Sequence, residues 1–146
     1  MANIHSVGLR KSFRDELIAS IAGFSVVPLA PENRDFVPPT GGTVFYVERM
    51  EYDPQRKVAT GTVEVTGRYV LEVSIGAGQG TELVESRADQ VVDVLEPGKP
   101  ALSSQGLQIA VDRASRGGGR IVERWGNSFY AVTVSVHWRF YTPTDI

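Results

Sequence analysis

Two long runs of alternating residues constrain the fold of this chain more than any other feature. From Thr62 to Ile75 the odd-numbered positions carry Val, Gly, Tyr, Leu or Ile, while the even-numbered positions are polar except for one valine. A second run from Tyr130 to Phe140 alternates in the same way. Because successive side chains point to opposite sides of a strand, this pattern predicts β-strands with one buried face. At ~3.3 Å per residue the first strand would exceed ~40 Å, well beyond the usual ~17–20 Å.

Two amphipathic helices are predicted around the first of these runs. Residues 4–22 carry apolar side chains four positions apart, which places them along one face of a helix. These side chains are Leu9, Phe13, Leu17 and Ile21. Residues 81–95 also repeat apolar side chains at helical spacing, and they begin at Thr81, a residue type favoured at helix N-termini.

The remaining elements are short strands and turns. Strands are predicted at 43–50, 107–112 and 121–125, and turns at 53–57 ("DPQRK"), 115–120 ("SRGGGR", a hairpin tip) and 126–128 ("GNS"). Short connections favour antiparallel hairpins. The predicted fold class is therefore α+β, a mostly antiparallel sheet with two long strands and two helices packed on one face, in the order α-β-β-α-β-β-β.

The segment 24–42 interrupts this regular pattern with four prolines and two glycines. Proline lacks the N–H that helices and sheets need, so the segment is predicted to be an arm or loop. Loops of this length in compact domains tend to be functional or to form interfaces. We predict that the arm contacts a neighbouring subunit. Its candidate interface residues are Phe24, Leu29, Phe36, Pro38, Pro39 and Gly41.

Composition excludes several classes of protein. The length of 146 residues predicts a single domain over 1–146, with 142–146 as a short C-terminal tail. The absence of cysteine excludes disulfides, thiolate metal sites and cysteine nucleophiles. A net charge of −2 argues against binding nucleic acid through bulk charge. Neither a signal peptide nor an apolar membrane span is present in the pattern, so we expect a soluble, intracellular protein without membrane contact.

A search for reactive groups finds no catalytic, cofactor or metal site. The loop "GAGQG" at Gly76–Gly80 lies between a strand and a helix, where phosphate-binding loops occur, but its spacing matches neither known glycine motif. His5 and His137 are the only histidines, and neither lies in a metal or hydrolase motif. Two acidic pairs lie at helical spacing, Glu82 with Glu85 and Asp89 with Asp93, and they suit a solvated helix face better than an acid/base dyad.

Four arginines surround the three glycines of "SRGGGR", and Trp125 follows them. Arginine, glycine and an aromatic residue together can contact phosphate or stacked bases. The simpler interpretation is a mobile polar turn. The candidates for contact with a partner protein or with DNA are Arg113, Arg116, Arg120 and Arg124.

Long strands also pose a problem of unpaired edges. The edge of an open sheet offers free N–H and C=O groups to any neighbour, and no proline interrupts either long strand. A protein that leaves such edges open often pairs them with another subunit. The strand pattern and the arm at 24–42 together favour a structural protein that forms a ring.

The stretch "FVPPTGGTVFYVE" at 36–48, which follows one amphipathic helix, resembles the tail terminator proteins of long-tailed bacteriophages and phage-like particles. The matching positions in this loop and strand are Phe36, Pro38, Pro39, Gly41, Val44, Phe45 and Val47. Residues 67–95 resemble the family's strand, glycine-containing turn and second helix. The matching positions there are Tyr69, Leu71, Val73, Gly76, Gly78, Ala88 and Leu95.

The resemblance implies a virion structural protein without enzymatic activity or cofactors. It implies a hexameric ring in the tail or neck that caps the head-proximal end of the tail tube, stops tube polymerisation and offers a head-joining surface. The implied partners are further copies of the chain, the tail tube protein, a head-completion or connector protein, and DNA passing without sequence specificity. Assembly would take place in the host cytoplasm.

Three alternatives remain open at this stage. The first is another neck, tail-completion or tube-like ring protein. The second, from a different class, is a small nucleotide- or phosphate-binding enzyme that uses the Gly76–Gly80 loop. The third is a monomeric α+β binding module.

Overall fold

The computed structural model describes residues 6–24, 28–30, 36–39, 41–97, 102–104 and 107–143. His5 and the tail residues 144–146 lie outside the described residues. The elements in chain order are α1 (Ser6–Ser20), β1 (Leu29–Ala30), β2 (Phe45–Tyr52), β3 (Arg56–Ala59), β4 (Thr62–Gly76), α2 (Glu82–Val94), β5 (Leu102–Ser104), β6 (Leu107–Arg116), β7 (Arg120–Arg124) and β8 (Asn127–Pro143).

These strands form one mixed sheet in the order β1-β2-β4-β8-β6-β5, with β3 also pairing with β4 and β7 also pairing with β8. The predicted fold class, with its mostly antiparallel sheet and the order α-β-β-α-β-β-β, is therefore wrong. Eight strands are present among the described residues, and β1 runs parallel to β2. The cause lies in the segment read as an irregular arm, because Leu29 and Ala30 pair there with Tyr46 and Val47.

Two predicted turns are breaks within strands that keep their direction. Strands β2 and β3 both run antiparallel to β4 along the same edge, so 53–57 does not reverse the chain. Strands β6 and β7 likewise both run antiparallel to β8, and Gly117 donates its N–H to the carbonyl of Thr133 between them. The predicted hairpin tip at 115–120 is therefore wrong, and the reversal comes later, between Arg124 and Asn127.

Strands β4 and β8 form the central ladder, which is continuous from the Thr62–Pro143 pair to the Gly76–Phe129 pair. The alternation explains the core, because the odd-numbered side chains of β4 share a face with the even-numbered side chains of β8. Both helices bury their apolar stripes in the same cluster. The core residues within the helices, or directly after their last residue, are Leu9, Phe13, Leu17, Ile21, Val84, Ala88, Val91 and Leu95.

A buried carboxylate ties α1 to this sheet. Glu48 of β2 is 1% exposed and accepts hydrogen bonds from both Nε and Nη2 of Arg14 on α1. Tyr69 donates its hydroxyl to the same carboxylate at 2.6 Å, and its ring stacks on Phe13 with 4.7 Å between centroids. Burial, followed by the charge of Glu48, raises the pKa of Tyr69 well above its ordinary value. The helix is thus held by a satisfied polar network as well as by apolar contact.

Candidate functional site

Three loops meet at one end of the sheet, because β2, β4 and β8 are neighbours there. Phe45 near the start of β2 is aligned with Ser74, and Ser74 is aligned with Ala131 of β8. The segments that enter or leave the strands at this level are 36–44, 76–81 and 124–128, of which the structure describes all but Thr40. We call this region the loop end. The opposite end of the ladder, residues 56–61, is called the hairpin end.

Backbone contacts hold the loops of the loop end together. The N–H of Gly76 donates to the carbonyl of Gly41 at 3.3 Å, and the N–H of Ala77 donates to Ser128 at 3.1 Å. A Cβ on Gly76 would lie 2.8 Å from the same carbonyl, so glycine is required for this approach. The glycines of the "PPTGG" and "GAGQG" stretches therefore join two loops.

Four aromatic rings fix the loop at 36–39 to the sheet. Phe36 lies 5.8 Å from Phe45 and 5.4 Å from Trp125 between ring centroids. Phe129 contacts Phe45 edge-on at 5.1 Å. Because Phe36 is held here and Gly41 is held by Gly76, Val37 between them is presented to solvent at 90% exposure.

Trp125 occupies an unusual backbone conformation. It forms a two-residue hairpin turn with Gly126, and the φ angles are +50° and +76°. Two positive φ angles fit the mirror-image turn that β-hairpins favour, in which Asn-Gly is the usual pair. A tryptophan in the left-handed region is strained, and outliers of this kind cluster at functional sites. Its side chain is 42% exposed.

A cavity of about 210 Å³ opens between the three loops. Its lining combines two prolines, three small residues, three uncharged polar side chains and one aromatic ring. The lining residues are Pro38, Pro39, Gly41, Gly76, Ala77, Gln79, Asn127, Ser128 and Phe129. None of them carries a charge, so the cavity suits an apolar or neutral polar group.

The candidate interface residues of the arm lie in different environments. Phe24 is 3% exposed and stacks on Tyr46 within the core, with 4.6 Å between ring centroids. Leu29 is half-buried in β1. Phe36, Pro38 and Pro39 are half-buried at the loop end, and Gly41 is exposed there.

The four candidate arginines do not form one patch. Arg116 pairs with Asp89 of α2 at 2.7 Å. On the opposite face of the sheet, Arg113 lies 2.9 Å from Nε2 of His137. Arg124 makes two hydrogen bonds to Glu72, which is 2% exposed. Arg120 is exposed and has no hydrogen bond or ion pair among the described residues.

The Gly76–Gly80 loop lacks the features of a phosphate site. The cavity beside it has no lysine or arginine, and the first turn of α2 carries Glu82 and Glu85. Carboxylates at a helix N-terminus repel an anion from the amides that would otherwise bind it. The geometry does not favour the nucleotide- or phosphate-binding enzyme.

Other reactive groups within the described residues are also engaged in structure. His137 is half-buried; burial and then the charge of Arg113 lower its pKa. The buried carboxylates Glu48 and Glu72 each face an arginine. No cluster of three His, Cys, Asp or Glu side chains suited to a metal is present in the described part of the chain. None of the helices described there is long and hydrophobic enough for a membrane span.

Sequence reasoning identified two of the three segments at the loop end and placed the turn of the third slightly too late, at 126–128. It selected the Pro/Gly loop and "GAGQG", and it placed Trp125 in a strand. The dipeptide Trp125-Gly126 was the available signal, because a residue followed by glycine between alternating runs marks a two-residue hairpin turn. Glu48 was also missed, although it alternates with Tyr46 and Met50 and therefore must point into the core.

Comparisons with known proteins place the chain in context. A family model described as phage tail terminator protein matches residues 9–138. One of fifteen matching chains of solved structures superposes on 94% of this chain and 96% of its own length, with a TM-score of 0.66 and 21% identity. At that identity the likeness shows a shared fold. No curated protein matches the chain.

Proposed function

Because this chain belongs to the phage tail terminator family and so to the structural proteins of the phage tail, we propose that it forms a ring that caps the head-proximal end of the tail tube. In this proposal the ring stops polymerisation of the tube and offers a different surface to the head-completion or connector protein. The ring is a homo-hexamer, assembled in the host cytoplasm, and DNA passes through it without sequence recognition.

The observation that carries the proposal is the difference between the two ends of the central ladder. At or beside the loop end are four exposed large apolar side chains: Val37, Leu83, Ile121 and Trp125. The other end presents Tyr52, Val58 and Tyr141. Exposed apolar groups rimmed by polar residues are typical of protein–protein contact sites. Two unlike contact surfaces allow one subunit both to join its neighbours in a ring and to bind the tube, and a ring that caps the tube needs both contacts.

The fixed conformation of the loops at the loop end supports the same conclusion. These loops are held by backbone hydrogen bonds and by the four-ring cluster, so a partner would meet a surface already in its binding conformation. Preorganised surfaces lose less conformational entropy on binding. A stacking surface for a ring or a tube has this requirement, because several copies must present it in the same arrangement.

Addition of the purified chain to polymerising tail tube protein from the same phage tests the proposal. We expect tubes of limited length with an extra density at one end in electron micrographs. A matched control is Lys11→Ala, which removes an exposed cation that pairs with Asp15 one helical turn away. It lies on α1, whose Phe13 stacks on Tyr69 in the middle of β4. An unchanged distribution of tube lengths at a molar excess of folded protein would refute the capping role.

A further inference from the structure

Two exposed carboxylates lie close, in strand register or in sequence, to residues that line the loop-end cavity. Glu123 is aligned across the β7–β8 hairpin with Ser128, which lines the cavity. Glu82 begins α2, three positions after the lining residue Gln79. Both side chains are exposed, and neither has an ion pair within the described part of the chain. The cavity therefore has an uncharged lining with two exposed carboxylates nearby.

The hairpin end has the opposite character. All four residues of β3 are exposed, and they follow one another as Arg56, Lys57, Val58 and Ala59. Val58 is 42% exposed, and Lys57 has no ion pair among the described residues. Arg56 contacts Glu64 at 3.0 Å, although its own side chain remains 71% exposed. This end therefore presents an exposed apolar side chain preceded by two cations.

These two surfaces cannot meet within one copy. They lie at opposite ends of β4, whose 15 residues separate them by about 45 Å. The cavity volume of about 210 Å³ exceeds the ~150 Å³ that accommodates a benzene-sized apolar group, so the side chain of Val58 fits inside it. When an apolar side chain and the cavity that receives it are surrounded by opposite charges, those charges fix the partner and the register of the contact.

We propose that the β3–β4 hairpin of one copy docks into the loop-end cavity of a second copy, with Val58 in the cavity and Lys57 facing Glu82 and Glu123. The inference deepens the ring of the proposed function and rests on it. The contact is heterologous, since different surfaces of the two copies meet, and repetition of such a contact closes a ring when the rotation permits.

Zero-length crosslinking tests the contact directly. A carbodiimide joins a lysine amine to a carboxylate only when the two touch, and mixing isotope-labelled with unlabelled chains distinguishes links between copies from links within one. In the oligomeric fraction, mass spectrometry is expected to find Lys57 joined to Glu82 or Glu123 of another copy. Glu96, an exposed carboxylate just after the end of α2, is the internal control and should remain unlinked to Lys57.

Reversing the charges on the two surfaces provides a second test of the contact. We expect self-association to weaken at least tenfold in each of two charge-reversed forms. One form carries Lys57→Glu, and the other carries Glu82→Lys together with Glu123→Lys. The triple variant and the mixture of the two reversed forms should restore self-association, because both bring opposite charges together again. All of these changes are at exposed positions, and circular dichroism verifies the fold.

The outcomes separate this inference from the proposed function. An oligomer that shows no Lys57 link, or reversed variants that associate like the wild type, overturns the hairpin contact and leaves the capping ring intact. Links from Glu82 to the tube protein alone assign the cavity to a different protein and also overturn the inference. A chain that stays monomeric at every concentration and on tubes overturns the ring and the inference together.

Discussion

Arg124 and Glu72 form a two-point ion pair, with Nη2 to Oε2 at 2.8 Å and Nε to Oε1 at 3.2 Å. Arg124 is aligned with Asn127, whereas Glu72 is aligned with Thr133 of the same strand. Six positions along a straight strand span about 20 Å, which is beyond the reach of the two side chains. The end of the β4–β8 ladder is therefore curved, and the β7–β8 hairpin lies over the face that carries Glu72.

This relationship predicts that Arg124 contributes to stability rather than to partner binding. Arg124→Leu leaves the buried carboxylate of Glu72 without its cation, and we expect a loss of about 2 kcal/mol in the free energy of unfolding. Adding Glu72→Gln should recover part of that loss, because the uncompensated charge disappears. Urea unfolding of the single and double variants measures both effects. Arg120→Leu is the control and should change stability by less than ~0.5 kcal/mol; an equal loss from both arginines would contradict the assignment.

The contact between Gly76 and Gly41 predicts a position-specific effect of alanine. Gly76→Ala places a Cβ 2.8 Å from the Gly41 carbonyl, and forcing the loops apart should cost about 1–3 kcal/mol. Gly42→Ala is a matched control one residue away from Gly41, since its Cβ meets only Oε1 of Gln79 at 3.6 Å. Thermal unfolding of the two variants checks the difference. Equal melting temperatures would mean that the loops can separate at no cost.

The strained turn predicts that stability and function separate at Trp125. Trp125→Asn relieves a left-handed conformation that costs about 1–2 kcal/mol but loses aromatic contacts of similar size, so the unfolding free energy should change little. The exposed ring disappears, and capping of tail tubes should fall markedly. Denaturant unfolding and tube-length measurements on the same preparation give the two quantities. A variant that caps tubes like the wild type would remove Trp125 from the contact surface.

His137 predicts a pH dependence of stability with a definite sign. Burial and the nearby Arg113 lower its pKa in the folded state, so the unfolded chain binds the proton more tightly. The contribution of neutral His137 to the free energy of unfolding is complete above its ordinary pKa near 6.5. It is lost as the pH falls from there toward the lower pKa of the folded state. His137→Gln should flatten the stability profile in that window, as measured by urea unfolding from pH 7 to pH 5. A profile with the wild-type slope would assign the dependence to other groups.

The sequence located individual elements better than it located their connections. Alternation placed the long strands β4 and β8, and helical spacing placed α1 and α2. The breaks at 53–57 and 115–120 were misread as reversals, because proline and glycine end strand pairing whether or not the chain turns back. Strand β1 was missed because Leu29–Ala30 has no periodicity of its own and is formed by pairing with β2. Such tertiary pairing is invisible to a local pattern.

The candidate site was predicted to a smaller extent. The two glycine loops were selected from composition, but the cavity between them also depends on the β7–β8 turn at Trp125 and Gly126, which the sequence analysis placed slightly too late in the chain, at 126–128. The arginines at 113, 116 and 124 were grouped by closeness in sequence. Side chains on adjacent strand positions point to opposite faces, and the break in β6–β7 separates them further, so each finds a different partner.

The β4–β8 ladder pairs fifteen consecutive positions without a bulge, from Thr62–Pro143 to Gly76–Phe129. A two-stranded ladder of this length is stiff, because any sliding of one strand along the other would break many hydrogen bonds at once. A push on the hairpin end therefore tilts the whole subunit and displaces the loop end by a comparable amount. A force applied by one neighbour would rotate the subunit as a rigid body, without refolding any part of it.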